Sequence, residues 1–310
     1  MTRVRHDCGQ AYVITVLFIS FALVGMTAAV LDVGSWFRAD RALQAQVDAA
    51  ALAGAQALPE NPAEALSLAM EYGDKNGGGL EITDVSFSGA VVPTDTITVE
   101  ADKPAPGFFA RIFGIDTVTV HAKASARSSF PGEAKYVAPI TVNELHPMLV
   151  CEPICFGVET EIELENKHKP GGGDAAGAFG LLNLHGSGKG SAGESEVASW
   201  ILEGFPDFMP LGIYDSVPST MFNGSHFQGA LSDRVGTEVL FPVFRPPIKK
   251  SGSNAEYNII GWVGFFITGH TGGGEAAKVQ GYFTKVIWEG IEGSSIPEDD
   301  FGVRVIGLVE

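Results

Sequence analysis

The sequence is short of basic residues. Lys and Arg together number 20, against 37 Asp and Glu, which gives a formal net charge of −17 at pH 7. The basic residues form no cluster, and binding to nucleic-acid phosphates requires clustered Lys and Arg, so we expect no nucleic-acid partner. Hydrophobic residues make up 45% and charged residues 18% of the chain, which is typical of a globular protein rather than a disordered one.

Cysteine is also scarce, with only three residues. Cys8 stands alone near the N-terminus, whereas Cys151 and Cys155 lie close together. If this part of the chain is exported, the pair predicts a small disulfide loop, with free thiols and a metal site as the alternatives. A tetrahedral zinc site needs four ligands, and only Glu144 and His146 lie nearby in sequence, so we expect neither a metal nor a cofactor.

No charged residue occurs in Ala11–Leu31, and no proline occurs between Ala11 and Leu58. At about 1.5 Å per residue the uncharged run spans about 31 Å, close to the hydrocarbon core of a bilayer. This predicts a helix that crosses a membrane. The alternatives are a cleaved signal peptide, whose apolar core is usually about 7–15 residues long, and a buried helix of a soluble protein.

Beyond Leu31 the same helix is predicted to continue and become amphipathic. One face repeats every four residues and consists of Asp32, Trp36, Asp40, Gln44 and Asp48. A second, apolar face, called the inner face below, consists of Leu43, Val47, Ala50, Gly54 and Leu58. Small side chains form an alanine stripe at Ala42, Ala45, Ala49 and Ala53. Such a stripe allows close approach of another backbone, so it predicts docking on the chain's own next domain or on helices of other subunits.

The rest of the chain predicts a small α+β domain followed by a β-rich domain. Residues 59–128 read as α-β-β-α-β, with strands recognised by their alternating apolar residues. Turn-rich sequence with short strand-like runs predicts a mainly β domain with one helix, Glu194–Leu202. The predicted fold class is therefore α+β, divided into a tail 1–10, a transmembrane and emergent helix 11–58, a small α+β domain 59–128, a linker 129–135 and a β-rich domain 136–310.

The chain lacks the common catalytic motifs. The stretch around Lys189 fails the phosphate-loop pattern, because Gly190 occupies the position that requires Ser or Thr. A nucleophile elbow at Ser195 fails because Val197 replaces the final glycine. We therefore expect no enzymatic activity. A tethered hydrolase is an alternative that would need a His, a carboxylate and a Ser or Cys brought together by folding.

The N-terminal stretch carries a set of residues in a recognisable order: Gly9, Gln10, Asp32, Gly34, Arg41, Leu43, Gln44, Asp48, Ala49 and Ala50. In these residues it resembles the N-terminal module of Tad (tight adherence) or Flp pilus-assembly proteins of the TadE/TadG-like group. The resemblance implies a single-pass protein of the bacterial inner membrane, with its N-terminus in the cytoplasm and its bulk outside. It also implies a role in assembly or surface display of Flp-type pili.

The partners implied by this resemblance are the membrane and other Tad/Flp assembly proteins or the pilin, contacted as a homo- or hetero-oligomer. Pilin-like members that are cut by a prepilin peptidase carry Glu five residues after the cleavage site. A cut after Gly9 would place Ile14 there, and the first Glu of this chain is Glu60, so we expect an uncut anchor. The alternative function is a membrane-tethered adhesin or glycan-binding protein.

Overall fold

The computed structural model describes residues 8–80, 84–163, 180–188, 190–217, 224–249, 255–271, 277–293 and 297–309, with the backbone alone at 8–10 and 247–249. The chain divides into two compact units. The first comprises residues up to Arg127 together with those from Gly307 onward, and the second comprises Ser128–Ile306.

The first unit begins with one continuous helix, α1 (Cys8–Ala55), as the sequence predicts, although the predicted helix was 11–58. Leu58, the last residue of the inner face, lies in the turn that follows α1. Among the described residues it is the helix that is long and apolar enough to cross a membrane, with a mean hydropathy of 2.4 in a window of which nothing is buried. The hydroxyls of Thr15 and Thr27 donate to the carbonyls of Ala11 and Leu23 one turn earlier. These polar side chains are thereby satisfied within the helix, which suits them to a hydrocarbon environment.

A second helix, α2 (Pro62–Lys75), follows a short turn and packs against α1. Asn61 is its N-cap, because its side-chain oxygen accepts from the backbone N–H of Glu64. Pro62 fits the first helical position, where no N–H is needed. Ala65, Ala69 and Gly73 are the buried residues of α2.

Three antiparallel strands complete this unit: β1 (Val85–Ser88), β2 (Thr96–Pro106) and β3 (Thr117–Ser129). A 3₁₀ turn, Ala110–Phe113, joins β2 to β3. The predicted α-β-β-α-β order is confirmed, although the short apolar helix is a single 3₁₀ turn. Gly107 and Gly114 bound this segment, and Gly114 takes the left-handed conformation at φ +80° that ends it.

The turn before β2 depends on one buried carboxylate. Asp95 accepts from the N–H groups of Ala90, Val91 and Val92 and from the hydroxyl of Thr96. Burial alone would raise the pKa of Asp95, but these hydrogen bonds outweigh it and hold the pKa below its usual value. The ionised carboxylate therefore stabilises the folded state.

The lowered pKa of Asp95 makes the stability of the first unit fall as the pH is lowered. A lowered folded pKa contributes stability that is complete above the unfolded pKa, about 3.9, and is lost as the pH falls through the folded value. We expect Asp95→Asn to lower the Tm by a constant amount from neutral pH to about pH 5, and the difference from wild type to shrink below about pH 4. Thermal unfolding in detergent at several pH values measures this difference in Tm. Asp40→Asn, at an exposed position, is the control for the change in net charge. A difference that grew on acidification would contradict it.

The second unit is mainly β. Its helices are α3 (Glu194–Leu202) and α4 (Ser225–Arg234). Its strands are β4 (Pro131–Ala134), β5 (Val142–Asn143), β6 (Thr160–Glu163), β7 (Met209–Pro210), β8 (Gly212–Asp215), β9 (Glu238–Lys249), β10 (Glu256–Thr271), β11 (Lys278–Thr284), β12 (Val286–Ile287), β13 (Gly290–Glu292) and β14 (Val303–Val309), the last ending in the first unit. The prediction of a mainly β C-terminal region is confirmed.

One large sheet organises this unit, in the order β5-β9-β10-β11-β6, with β8 also paired to β10. A small sheet has the order β13-β4-β7, and β12 pairs in parallel with β14. The core lies on the sheet face that carries Phe241, Phe265 and Phe283, all fully buried. Aromatic rings meet there at centroid distances of 5.1 Å (Phe265–Phe283) and 5.5 Å (Phe241–Phe265).

The structure differs from the sequence prediction at several points. The segment 129–135, predicted as a linker, contains β4, whose partners β7 and β13 come from much later in the chain. The apolar sequence of residues 137–142 predicts a strand, but this segment makes only isolated bridges, at Val137 and Ile140, before β5. Helix α4 was not predicted, because its apolar residues are too few to show a helical period and Gly229 interrupts them.

Candidate docking surface of the emergent helix

Asp32 lies directly after the uncharged run and is 2% exposed. Its carboxylate accepts from three successive backbone N–H groups, those of Phe108, Phe109 and Ala110, at the start of the 3₁₀ turn. An anion suits such a position, because several unpaired N–H groups converge there. Asp32 thus ties the membrane-proximal part of α1 to the loop between β2 and β3.

Asp32 belongs to the polar face of α1 that repeats every four residues, and other residues of this face also bind the first unit. The indole N–H of Trp36 donates to the carbonyl of Pro106 at 3.2 Å. The amide of Gln44 donates to Asp48 at 2.7 Å and to the carbonyl of Lys123 at 3.0 Å. Asp40 is exposed. The polar row of α1 is therefore mainly the contact with the chain's own β2 and β3.

Gln46 makes the most deeply buried polar contact of the helix, at 1% exposure. Its amide donates to the carbonyls of Gly73 and Gly78, and its oxygen accepts from the ammonium of Lys103 at 2.6 Å. A buried amide satisfied on both sides fixes the register between α1 and the end of α2. Sequence reasoning missed this residue, because its partners are two glycine carbonyls and a lysine 57 residues away, which no local pattern reveals.

The inner face of α1 packs on its own unit. Leu43, Val47, Ala50 and Leu58 are all at most 1% exposed. Gly54 allows the closest approach, because a Cβ placed there would lie 2.9 Å from the carbonyl oxygen of Ala65. The inner face is therefore occupied by α2 and β2.

The alanine stripe is split by this packing. Ala42 and Ala45 are exposed and Ala49 is half-buried, whereas Ala53 is 3% exposed and belongs to the core of the first unit. Ala42 and Ala53 have nearly the same direction on the helix, since 11 residues correspond to about three turns, so the position of α2 and β2 along α1 decides that only the last member is covered. Of the predicted docking face, Ala42, Ala45 and Ala49 therefore stay at least partly accessible, whereas Ala53 is covered by the chain's own unit.

The remaining residues of the recognised motif are either accessible or buried, and two of them have surroundings that are not described. Gly34 has open space around it, since no heavy atom lies within 4 Å of a Cβ built there. Arg41 is exposed, while Leu43 and Ala50 are buried. Gly9 and Gln10 lie within α1, but their surroundings are outside the described part of the chain, as is the tail segment 1–7.

In the second unit, Cys151 and Cys155 are joined in a disulfide. Within the described residues, no group of three or more His, Cys, Asp or Glu is arranged to hold a metal ion. The acidic residues near β6 are instead paired: Glu161 binds Lys278 at 2.7 Å, which lowers the pKa of Glu161 and raises that of Lys278.

In the second unit, the histidine that contacts a carboxylate is not the histidine that contacts a serine hydroxyl. His185 meets the carboxylate of Glu196 at 2.8 Å, whereas His270 meets the hydroxyl of Ser232 at 2.9 Å. The Ser–His contact and the His–carboxylate contact are thus not joined in one relay through these histidines. Lys189, from the failed phosphate-loop pattern, lies outside the described residues.

An open cleft of about 680 Å³ lies beside β8 and the segment that precedes it, and is lined in part by His185, Phe205, Phe208 and Tyr214. Burial and the nearby Glu133 raise the pKa of Tyr214 to about 12, and its hydroxyl donates to the carbonyl of Pro210. Phe205 and Tyr214 are buried, and Phe208, at 39% exposure, is the aromatic residue of this lining that solvent reaches most. Stacked exposed aromatics, which a glycan platform requires, are not found among these residues.

Residues 9–57 match the family model Tad, described as putative Flp pilus-assembly TadE/G-like. The matched segment coincides with α1 and includes Asp32, Gln44 and Gln46, which attach the helix to the first unit. No curated protein and no solved structure matches the chain significantly. The match, together with the apolar helix, indicates a single-pass membrane protein. The chain therefore carries a TadE/G-like Tad domain in its N-terminal helix, and this domain supports involvement in Flp pilus assembly.

Proposed function

We propose that this chain is a non-enzymatic, membrane-anchored component of Flp-type pilus assembly. It would be held in the bacterial inner membrane by Ala11–Leu31, with the N-terminus in the cytoplasm and both units outside. The observation that carries the proposal is the Tad match on a helix whose apolar half is not covered by any of the residues that the structure describes. Such a surface is available to lipid and to the helices of neighbouring subunits.

The proposed mechanism is helix docking. The first unit already occupies the inner face of α1, so a partner helix must approach the opposite side. Ala42 and Ala45 are exposed on that side, with Ala49 beside them, and their small side chains favour close packing of backbones. The partners we propose are other Tad/Flp assembly proteins, the pilin, or a second copy of this chain.

Placing leucine at both exposed positions, Ala42→Leu with Ala45→Leu, tests the docking surface. Both sites face solvent, so the fold of the first unit should be retained. A steric misfit of about 1–3 kcal/mol at the partner contact corresponds to a loss of affinity of about 5- to 150-fold. We expect the number of surface pili, counted by electron microscopy in a deletion strain carrying the variant, to fall accordingly.

The matched control is Ala63→Leu, the same change at an exposed alanine on α2. Equal amounts of variant and control in the membrane fraction exclude a loss through degradation. If pilus numbers and partner cross-linking from position 49, which the variant leaves free for a cross-linker, match the control, the docking surface is excluded. Normal pili with lost adhesion would favour the adhesin alternative instead.

A further inference from the structure

The loop between β2 and β3 exposes an unusual amount of apolar surface. Within residues 107–116, called the apolar loop below, the exposed fractions are 64% at Phe108, 40% at Phe109, 79% at Ile112, 82% at Phe113 and 46% at Ile115. Contiguous exposed apolar residues of this size mark an interaction surface in soluble proteins and in the extramembrane parts of membrane proteins. Alternation along a strand cannot explain them, because the segment is a turn.

The loop has a fixed shape. Gly107 donates its N–H to the carbonyl of Asp116 at 2.9 Å, and Ile115 donates to the carbonyl of Ala110 at 3.1 Å, which closes the loop at its base. A side chain at Gly107 would meet the carbonyl oxygen of Ile115 at 2.7 Å. The apolar side chains are therefore presented by an ordered scaffold, and ordering them on contact would cost little backbone entropy.

The apolar loop is attached to α1 at the end of its uncharged run, and this position indicates which surface the loop contacts. Asp32, which holds the N–H groups of Phe108, Phe109 and Ala110, follows Leu31, the last residue of the uncharged run. One residue advances a helix by about 1.5 Å, so the loop backbone lies at the depth where the hydrocarbon core ends. Trp36, bonded to Pro106, lies about 7 Å further out, within the headgroup region where tryptophan is enriched.

From this continuity we infer that the apolar loop inserts its aromatic and aliphatic side chains into the surface of the same bilayer that α1 crosses. Amphipathic segments bind the interface in this way, with apolar residues in the acyl boundary and basic residues at the headgroups. Arg111 supplies such a cation, since its side chain is 61% exposed and meets Asp116 only at 3.9 Å. The loop would act as a second membrane contact that fixes the tilt of the first unit.

This inference rests on the proposed membrane anchoring of α1. The test therefore measures the membrane contact of α1 and that of the apolar loop separately. The full chain, carrying Cys8→Ser, is reconstituted in vesicles of phosphatidylethanolamine and phosphatidylglycerol. A nitroxide label is placed at one site at a time by Phe113→Cys, Val24→Cys or Phe87→Cys. Collision with oxygen, which concentrates in the hydrocarbon, is compared with collision with a water-soluble nickel complex.

Phe87 is the matched control, since it is an exposed phenylalanine of the same unit. It pairs with Ile97, about 30 Å along β2 from the loop at about 3.3 Å per residue. We expect the labels at 113 and 24 to collide more with oxygen and the label at 87 to collide more with nickel. All three sites are exposed, so labelling them leaves the core intact.

The remaining outcomes each overturn a defined claim. If the label at 113 collides mainly with nickel, as the label at 87 does, while the label at 24 collides mainly with oxygen, the loop inference is wrong and the membrane anchor stands. A label at 113 shielded from both collision partners means that a protein surface, such as a second copy, covers the loop, and this also overturns it. A label at 24 that collides mainly with nickel overturns the anchoring and the loop inference together.

Discussion

Replacing Gly54 by valine is expected to destabilise the first unit by about 1–3 kcal/mol, the usual cost of overpacking a core. A Cβ at this position would lie 2.5 Å from the terminal carbon of Ile97 and 2.9 Å from the carbonyl oxygen of Ala65. The Ile97 side chain can rotate away, but Ala65 presents backbone. The two helices must therefore separate, which also loosens the neighbouring contact of Gln46 with Gly73.

Gly34→Val is the control, because it makes the same chemical change in the same helix at a site where, apart from the adjoining turns of α1, no described atom lies within 4 Å of the new Cβ. Gly54→Ala gives an intermediate case, since the helix propensity gained over glycine, about 1 kcal/mol, offsets part of the clash. Hydrogen exchange of peptides from α2, measured in detergent, reads the stability of this unit alone. Equal exchange in Gly54→Val and Gly34→Val would mean that α1 and α2 do not cross at Gly54.

Replacing Phe265 by alanine is expected to destabilise the second unit by about 3–5 kcal/mol, the range for removing a buried aromatic ring. Phe265 is fully buried on β10 and contacts both Phe241 and Phe283. Removal of its ring leaves a cavity between three paired strands, β9, β10 and β11. Those strands cannot collapse into it without breaking their hydrogen-bond register.

The next residue supplies a stringent control. Phe266 lies on the opposite face of β10, is half-buried, and stacks on Tyr282 at 5.2 Å. Phe266→Ala should therefore cost much less than Phe265→Ala. Urea unfolding followed by tryptophan fluorescence measures both variants, because Trp200, Trp262 and Trp288 lie in the second unit. Similar midpoints for the two variants would contradict the assignment of the core face.

These stability variants also sharpen the test of function. Gly54→Val acts inside the first unit, whereas Ala42→Leu with Ala45→Leu acts on its outer surface. Loss of pili with normal hydrogen exchange in the leucine variant would point to a partner contact. Loss of pili in the valine variant together with faster exchange would point to the fold of the unit.

Much of the first unit was predictable because its signals are local. The uncharged run of bilayer length and the proline-free helix pattern behind it depend on neighbouring residues alone, and they predict α1 to within three residues of its end at Ala55. The alternation in β3 is equally local, and it predicts the last strand of the α-β-β-α-β order. The Tad motif was recognisable from the order of its residues, without knowledge of what each one touches.

The tertiary structure decided what those residues do, because their partners are distant in sequence. Asp32 and Gln44 were read as one helical face, but only the fold brings Phe108 and Lys123 to them. The alanine stripe has uniform composition, and the position of α2 and β2 decides which alanines are covered. Burial of Phe265 but not of Phe266 likewise follows from which sheet face meets the core, a choice that two adjacent identical residues cannot encode by themselves.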